Sequence, residues 1–412
     1  MPYTIKLEHV PGGYATHCAD AGEQIDVVFR EFTSTEDGQR FISRLEGIPT
    51  KILETVTASA DVAASQTNSL LAIIQPNGQT KVFWNEFQPT IQIRSKKKVK
   101  AGELVYIDHI MDIERIKLPD EALAPDVAIC YLFSFGWRKG LFFDFGPAQP
   151  GENRVARDYD IEALLAHYFG RVLFQHLFSI EDETWSELFR QRWFPFSYLS
   201  VDTVQNMIKR ARERRAIDVD LDKLAREVHS AMSDRLSEWE NDDIIGPHLP
   251  FVRKAFEHFS AGDFLSSSSI LYPRIEGLIR ISAASPSISG RLTQRVLSRQ
   301  GAGTGGEPLR EQSLLLPKRF EEYLTDVYFA NFRPGSVSRI VSRHSVSHGV
   351  VSAESLDRKG TTIGFLILLQ LFSVAKARGV QLKERGSRNR ELGGFLGRVF
   401  GFRTRKEPGS RR

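Results

Sequence analysis

The chain has 412 residues, of which 41% are hydrophobic and 26% charged, with a net charge of +4. That length exceeds one ordinary core and predicts two or three domains, and the balance excludes a disordered or fibrous chain. Only two cysteines occur, Cys18 and Cys130, which excludes a disulfide framework or an all-cysteine metal site and makes a reducing, cytoplasmic setting the expectation.

Met1-Pro2-Tyr3-Thr4 carries no basic region followed by an apolar one, so no secretory signal is expected. The most apolar segment, Ile363 to Val374, is too short to cross a bilayer and is expected as a buried core helix rather than a membrane span. Charge is unevenly placed. From Lys376 to Arg412 twelve Lys or Arg face three Glu, a basic tail suited to polyanions such as RNA.

In chain order, residues 1–150 read as a β-rich domain. Leu70 to Ile74 and Lys81 to Trp84 flank Pro76-Asn77-Gly78, where Asn-Gly suits a tight hairpin turn. Thr90 to Arg94 alternates with period two, and Val127 to Phe135 and Gly140 to Phe145 form a second aromatic-rich pair. No helix of crossover length separates these strands, which predicts an antiparallel sandwich or open barrel. The cluster Arg94 to Lys100 is read as a charged hairpin tip or a grip for a phosphate backbone.

Residues 151–246 read as a helical middle region. Asp160 is the expected cap of a helix over Ile161 to Phe178, and further helices are predicted over 181–193, 201–214 and 221–239. Residues 247–380 continue the helical pattern, with Pro273 expected to kink the helix that carries Glu276. Ser282 to Gly306 reads as a flexible loop. It contains a formal G-x-G-x-x-G, but no strand precedes it, so dinucleotide binding is not expected. Ser336 is the expected cap of a helix from Val337 to His348, ended by Gly349, and a second helix is predicted from about Ser355 to Lys376. Residues 381–412 are expected to be a disordered basic tail.

One guanidinium and two imidazoles fall within Arg343-His344-Ser345-Val346-Ser347-His348. His344 and His348 share a helix face, whereas Arg343 sits about 140° from His348 on a regular helix and converges with it only if the helix ends there. Arginine binds two phosphate oxygens at once, and histidine moves protons near neutral pH. The four-residue gap alone is not distinctive. Arg171 and His176, Arg253 and His258, and Arg339 and His344 repeat it.

The segment resembles the signature of the HEPN superfamily, the higher-eukaryote and prokaryote nucleotide-binding helical domains: Arg, a polar residue, three residues and His. Arg343, His344 and His348 fit it, whereas the other three pairs have Val172, Lys254 or Ile340 at the second position. Gly349 and the apolar helix beyond, and Pro273-Arg274-Ile275-Glu276-Gly277 upstream, are similar to bacterial members. The resemblance spans about residues 247–380. It implies a HEPN-like helical bundle that cleaves RNA without metal or cofactor, by attack of a ribose 2′-hydroxyl, in a site completed across a homodimer. It further implies Arg343 and His348 as catalytic, His344 orienting RNA or sharing proton transfer, and Glu276 positioning Arg343. The layout is similar to abortive-infection and toxin proteins of bacterial defence, in which a sensor module, here the N-terminal domain with an unspecified ligand, restrains a nuclease.

Two other readings stand beside it. Many HEPN domains have lost activity and only dimerise and bind nucleic acid. His344 and His348 also have the i, i+4 spacing of a zinc hydrolase, although the glutamate of H-E-x-x-H is absent and Glu354 or Asp357 must then supply a third ligand.

Overall fold

A computed structural model of the protein describes residues 2–57, 64–242, 245–283, 292–306, 308–333, 335 and 337–400, with side chains described up to Gly379. The chain divides into two compact units, Met1–Ile180 and Glu181–Arg412.

The first unit is built on an antiparallel sheet. Its strands are β1 (Tyr3–Lys6), β2 (Arg30–Ser34), β3 (Ser69–Ile74), β4 (Gln79–Trp84), β7 (Ala128–Phe135) and β8 (Arg138–Asp144), in the order β1-β4-β3-β7-β8-β2. A separate bulged hairpin joins β5 (Thr90–Ser95) and β6 (Ile110–Lys117). The predicted turn between β3 and β4 is present, and Gly78 supplies its positive φ.

The expected sandwich or barrel gives way to an open sheet whose two faces are covered differently. Two helices not expected from the sequence, α1 (Gln39–Glu46) and α2 (Ile48–Thr57), bury Phe41, Leu45, Ile52 and Leu53 against one face. Leu70, Ala72, Cys130, Leu132 and Phe143 come from the strands to meet them. The opposite face carries Tyr131, Phe133 and Phe142, alternate residues that point the other way. There it meets α3 (Ile161–Leu173), whose Tyr168 stacks on Phe32 at 4.1 Å.

Asp160 caps α3 as predicted, accepting from the Ala163 N–H at 3.2 Å. Arg115 of β6 bonds Asp160 at 2.7 Å and Glu162 at 3.2 Å, which fastens α3 to the hairpin. Helix α3 therefore belongs to the β unit, and the division falls after Ile180 rather than near residue 150. At the expected basic tip, Lys97 pairs with Glu103 at 2.8 Å, and Arg94 pairs with Glu114.

The second unit is helical: α4 (Asp182–Arg190), α5 (Val201–Arg212), α6 (Leu221–Glu238), α7 (Leu249–Ser260), α8 (Phe264–Ala283), α9 (Gln294–Ala302), α10 (Pro317–Tyr323), α11 (Arg343–Ser347) and α12 (Arg358–Phe400). It does not divide near residue 246, because Trp239, fully buried, packs on Phe372 of α12 at 5.0 Å. Helix α8 runs through Pro273 as one element.

Helix α9 corrects the expected loop. Thr293 caps its start and Gly303, at φ +75°, ends it, so this glycine-rich stretch is a helix terminus rather than a phosphate cradle. Residues 284–291 of that expected loop lie outside those described. The stretch Arg358–Gly379 of α12 is long and apolar enough to cross a membrane by composition, yet most of its apolar part is buried in the protein. At its middle sits a buried amide, Gln370, which accepts from the Ser197 N–H and donates to the Leu315 carbonyl, both at 2.9 Å. The tail expected to be disordered is helical in its first part. Its backbone continues α12 to Phe400, and residues 401–412 lie outside the described chain.

Candidate functional site

The helix expected from Val337 to His348 is only five residues long, and both of its ends are built by local hydrogen bonds. Residues 337–341 are not helical, and Ser338 instead forms a bridge with Val351. The expected cap, Ser336, lies outside the described residues. Ser342 is the cap: its Oγ accepts from the Ser345 N–H at 3.2 Å, and the Ser345 Oγ accepts from the Ser342 N–H at 2.9 Å. Ser342 also donates to the Ala330 carbonyl at 2.8 Å, anchoring the segment.

At the other end the Gly349 N–H reaches the Val346 carbonyl at 3.1 Å, and the Val350 N–H reaches the Ser345 carbonyl at 3.0 Å. These are the paired bonds of a Schellman ending, which needs a left-handed residue after the cap. Gly349 supplies it at φ +66°. His348 becomes the last residue of the turn, at φ −91° and ψ 0°. The helix thus ends where convergence of Arg343 and His348 requires it to end.

Arg343 is held from below. Its Nε pairs with Glu276 of α8, which is 3% exposed and also accepts from Arg280 at 2.6 Å. One buried carboxylate therefore fixes two guanidinium groups. From Arg343, Nη1 lies 3.1 Å from Nδ1 of His344. A guanidinium only donates, so Nδ1 is the acceptor and the neutral ring carries its proton on Nε2. Against that second nitrogen lies the amide nitrogen of Gln294 of α9, itself a donor, so the contact covers Nε2 without accepting its proton. Nδ1 of His344 is thereby bonded, and its Nε2 is covered. Burial, together with Arg343 and His348 nearby, lowers its pKa below 6.5, and burial lowers that of Arg343 as well.

The His348 ring lies beside that of His344, with centroids 6.1 Å apart and planes 16° from parallel. Phe332 approaches it at 5.6 Å. His348 is exposed, and no hydrogen bond to its ring is found among the described residues. The structure therefore brings all four expected residues into one chain of contacts: Glu276 to Arg343, Arg343 to His344, and His344 alongside His348.

Three members were missed. Arg280 is four residues after Glu276 on the same helix face, a signal the sequence contained. Gln294 lay in the segment read as loop, and Phe332 had no local signal.

The zinc arrangement does not form. Among the described residues no group of three or more His, Cys, Asp or Glu side chains is placed to hold a metal ion. Asp357 instead caps α12, accepting from the Gly360 N–H at 2.8 Å, and Glu354 is exposed. Nδ1 of His344 already accepts from Arg343, and its Nε2 is covered by the Gln294 amide nitrogen.

No protein-family model matches this chain, and no curated protein or solved structure matches it either.

Proposed function

We propose that the helical unit is a metal-independent endoribonuclease of HEPN type, acting as a homodimer in a bacterial defence or toxin response. The observation that carries this reading is a fixed guanidinium, Arg343, and one solvent-facing imidazole, His348, each in contact with His344 on a turn closed at both ends. A site held this rigidly by its surroundings suits catalysis by positioning and charge.

In the proposed reaction the ribose 2′-oxygen attacks the adjacent phosphorus. Its proton passes to a base, the phosphorus–O5′ bond breaks, and an acid protonates the departing 5′-oxygen. The products are a 2′,3′-cyclic phosphate and a 5′-hydroxyl, with no oxidant, metal or cofactor consumed. Arg343 neutralises the phosphorane oxygens, Glu276 positions Arg343, and His348 transfers a proton. His344 is a positioning residue because its Nδ1 is taken by Arg343 and its Nε2 is covered by Gln294, and it fixes Arg343 and lies beside the ring of His348. One chain then offers a single free imidazole for two proton transfers. A second copy facing the first supplies the other, which is the physical argument for a dimer.

The test is purified protein incubated with RNA in EDTA. Cleavage that persists with chelator, leaves cyclic phosphate ends and is lost in Arg343→Ala and His348→Ala supports the reading. Equal cleavage by parent and variants refutes the site. RNA binding and dimerisation without cleavage at any RNA tested support instead a non-catalytic nucleic-acid-binding protein.

A further inference from the structure

The face of the N-terminal sheet that α3 leaves open contains a second site. It is a cleft of about 540 Å³ at the ends of β3 and β7. That volume lies within the range of about 300 to 1,000 Å³ usual for small-molecule sites. Its aromatic lining is continuous: Phe87 meets Tyr131 at 5.8 Å, Tyr131 meets Phe133 at 5.4 Å, and Phe133 meets Phe169 of α3 at 5.5 Å. Asn68 and Gln88 stand exposed at the rim. Among the described residues no Asp, Glu, Lys, Arg or His lines the cleft.

Two features set this cleft apart from packing that merely stops short. Ser134 lines the cleft, and its buried hydroxyl makes no hydrogen bond among the described residues; the Tyr131 hydroxyl, in the same lining, makes none either. A buried hydroxyl normally has a partner, and leaving one without costs free energy, so a missing partner at the wall of a cleft marks a place for ligand. The rim is also built rather than loose. Asn85, at φ +56°, accepts from the N–H groups of Asn68 and Ser69 at 3.0 Å each. The Ser69 hydroxyl donates to the Phe87 carbonyl at 3.3 Å, fixing the segment that carries Phe87 and Gln88.

The geometry points to this cleft as a binding site for an uncharged nitrogen heterocycle of nucleobase type, presented as a free nucleoside. Aromatic rings accept a planar base by stacking, and carboxamides match the adjacent donor and acceptor atoms of a base edge. The Tyr131 hydroxyl supplies one further hydrogen bond. The uncharged lining gives a phosphate no cationic partner, which favours nucleosides over nucleotides or a nucleic-acid strand.

The test is calorimetric titration of the full chain with adenosine, guanosine, cytidine and uridine, and with their 5′-monophosphates. At least one nucleoside is expected to bind saturably, one per chain, with its monophosphate no tighter. Tyr131→Phe keeps the ring and removes only the hydroxyl, and is expected to weaken binding up to about tenfold. Phe87→Ala removes a stacking wall and is expected to cost about tenfold or more. Should Phe87→Ala fail to fold, Tyr131→Phe alone reads the site. No binding by any of the four nucleosides at millimolar concentration overturns the proposal, as does binding unchanged in Tyr131→Phe or binding confined to the monophosphates. Arg343→Ala is expected to leave nucleoside binding intact, so the inference stands or falls separately from RNA cleavage.

Discussion

Replacing Glu276 by Gln tests the foundation of the candidate site in one step. The carboxylate is 3% exposed and holds two guanidinium groups, Arg280 and Arg343. Losing one partner of a fully buried ion pair costs about 3 to 5 kcal/mol, because the remaining charge is left without compensation. Here the remaining charges reach water: the Arg280 side chain is 46% exposed and that of Arg343 23%. The lower range for charged hydrogen bonds, about 1.5 to 3 kcal/mol, therefore applies. For a helical unit of this size a loss of about 2 kcal/mol lowers the melting temperature by about 4 to 8 °C. Thermal unfolding followed by circular dichroism reads that shift. Arg343→Ala is expected to cost less, since Glu276 keeps Arg280. The double variant is expected to show a coupling of at least about 0.5 kcal/mol, the lower end for residues in one network. A melting temperature within about 1 °C of the parent for Glu276→Gln, or strict additivity, refutes the claim that this carboxylate positions Arg343.

Acid should loosen both units. In the N-terminal unit, burial with Arg138 nearby pulls His176 from 6.5 down to about 4, and in the helical unit His344 is lowered in the same direction. The unfolded chain then takes up protons that the folded chain refuses, so stability is full above pH 6.5 and falls as pH drops toward 4. Urea unfolding at a series of pH values should show this slope, and His176→Gln should flatten it in the N-terminal unit. Mixing inactive Arg343→Ala and His348→Ala chains, with subunit exchange, should restore part of the cleavage if the site is shared between copies; no recovery argues for a site complete in one chain. Gly349→Ala meets no neighbouring atom within 4 Å, so its cost, about 1 to 2 kcal/mol by denaturation, should reflect the left-handed backbone alone. Deleting residues 385–412 should weaken RNA binding mainly at low salt, and an unchanged salt titration removes the tail from RNA recognition.

The helices with a strong apolar stripe were legible from the sequence, as were the Asp160 cap and the Pro76-Asn77-Gly78 hairpin. Each is specified by neighbours within a few residues. Other elements depend on partners distant in sequence. Helix α1 has only Phe41 and Leu45 buried, and α9 is rich in Gly, Gln and Arg, so neither announces itself without the surface it packs on. Strand alternation leads to the expectation of a sandwich or open barrel because it reports that a face is covered, not whether a helix or a sheet covers it. At the site, Arg343, His344 and His348 were visible as a cluster, and Gly349 correctly marked the end of their helix. The start was misplaced, since Ser336 and Ser342 are equally good caps in isolation. Only the Ala330 carbonyl and the reciprocal Ser345 bond distinguish Ser342.

Gln370 gives the helical unit a means of indexing. The buried stripe of α12 is mostly Leu, Ile and Val, residues that pack nearly as well after a helix slips or turns, so apolar burial alone ranks neighbouring registers closely. One carboxamide breaks that degeneracy. Only one height and one rotation let it meet both the Ser197 N–H and the Leu315 carbonyl, and any slip leaves an amide and two backbone groups dry and unbonded. The same bonds link two distant loops to one point on α12, so the loops should open together. In native-state hydrogen exchange, the Ser197 amide should report the release of α12 rather than local fraying of its own loop.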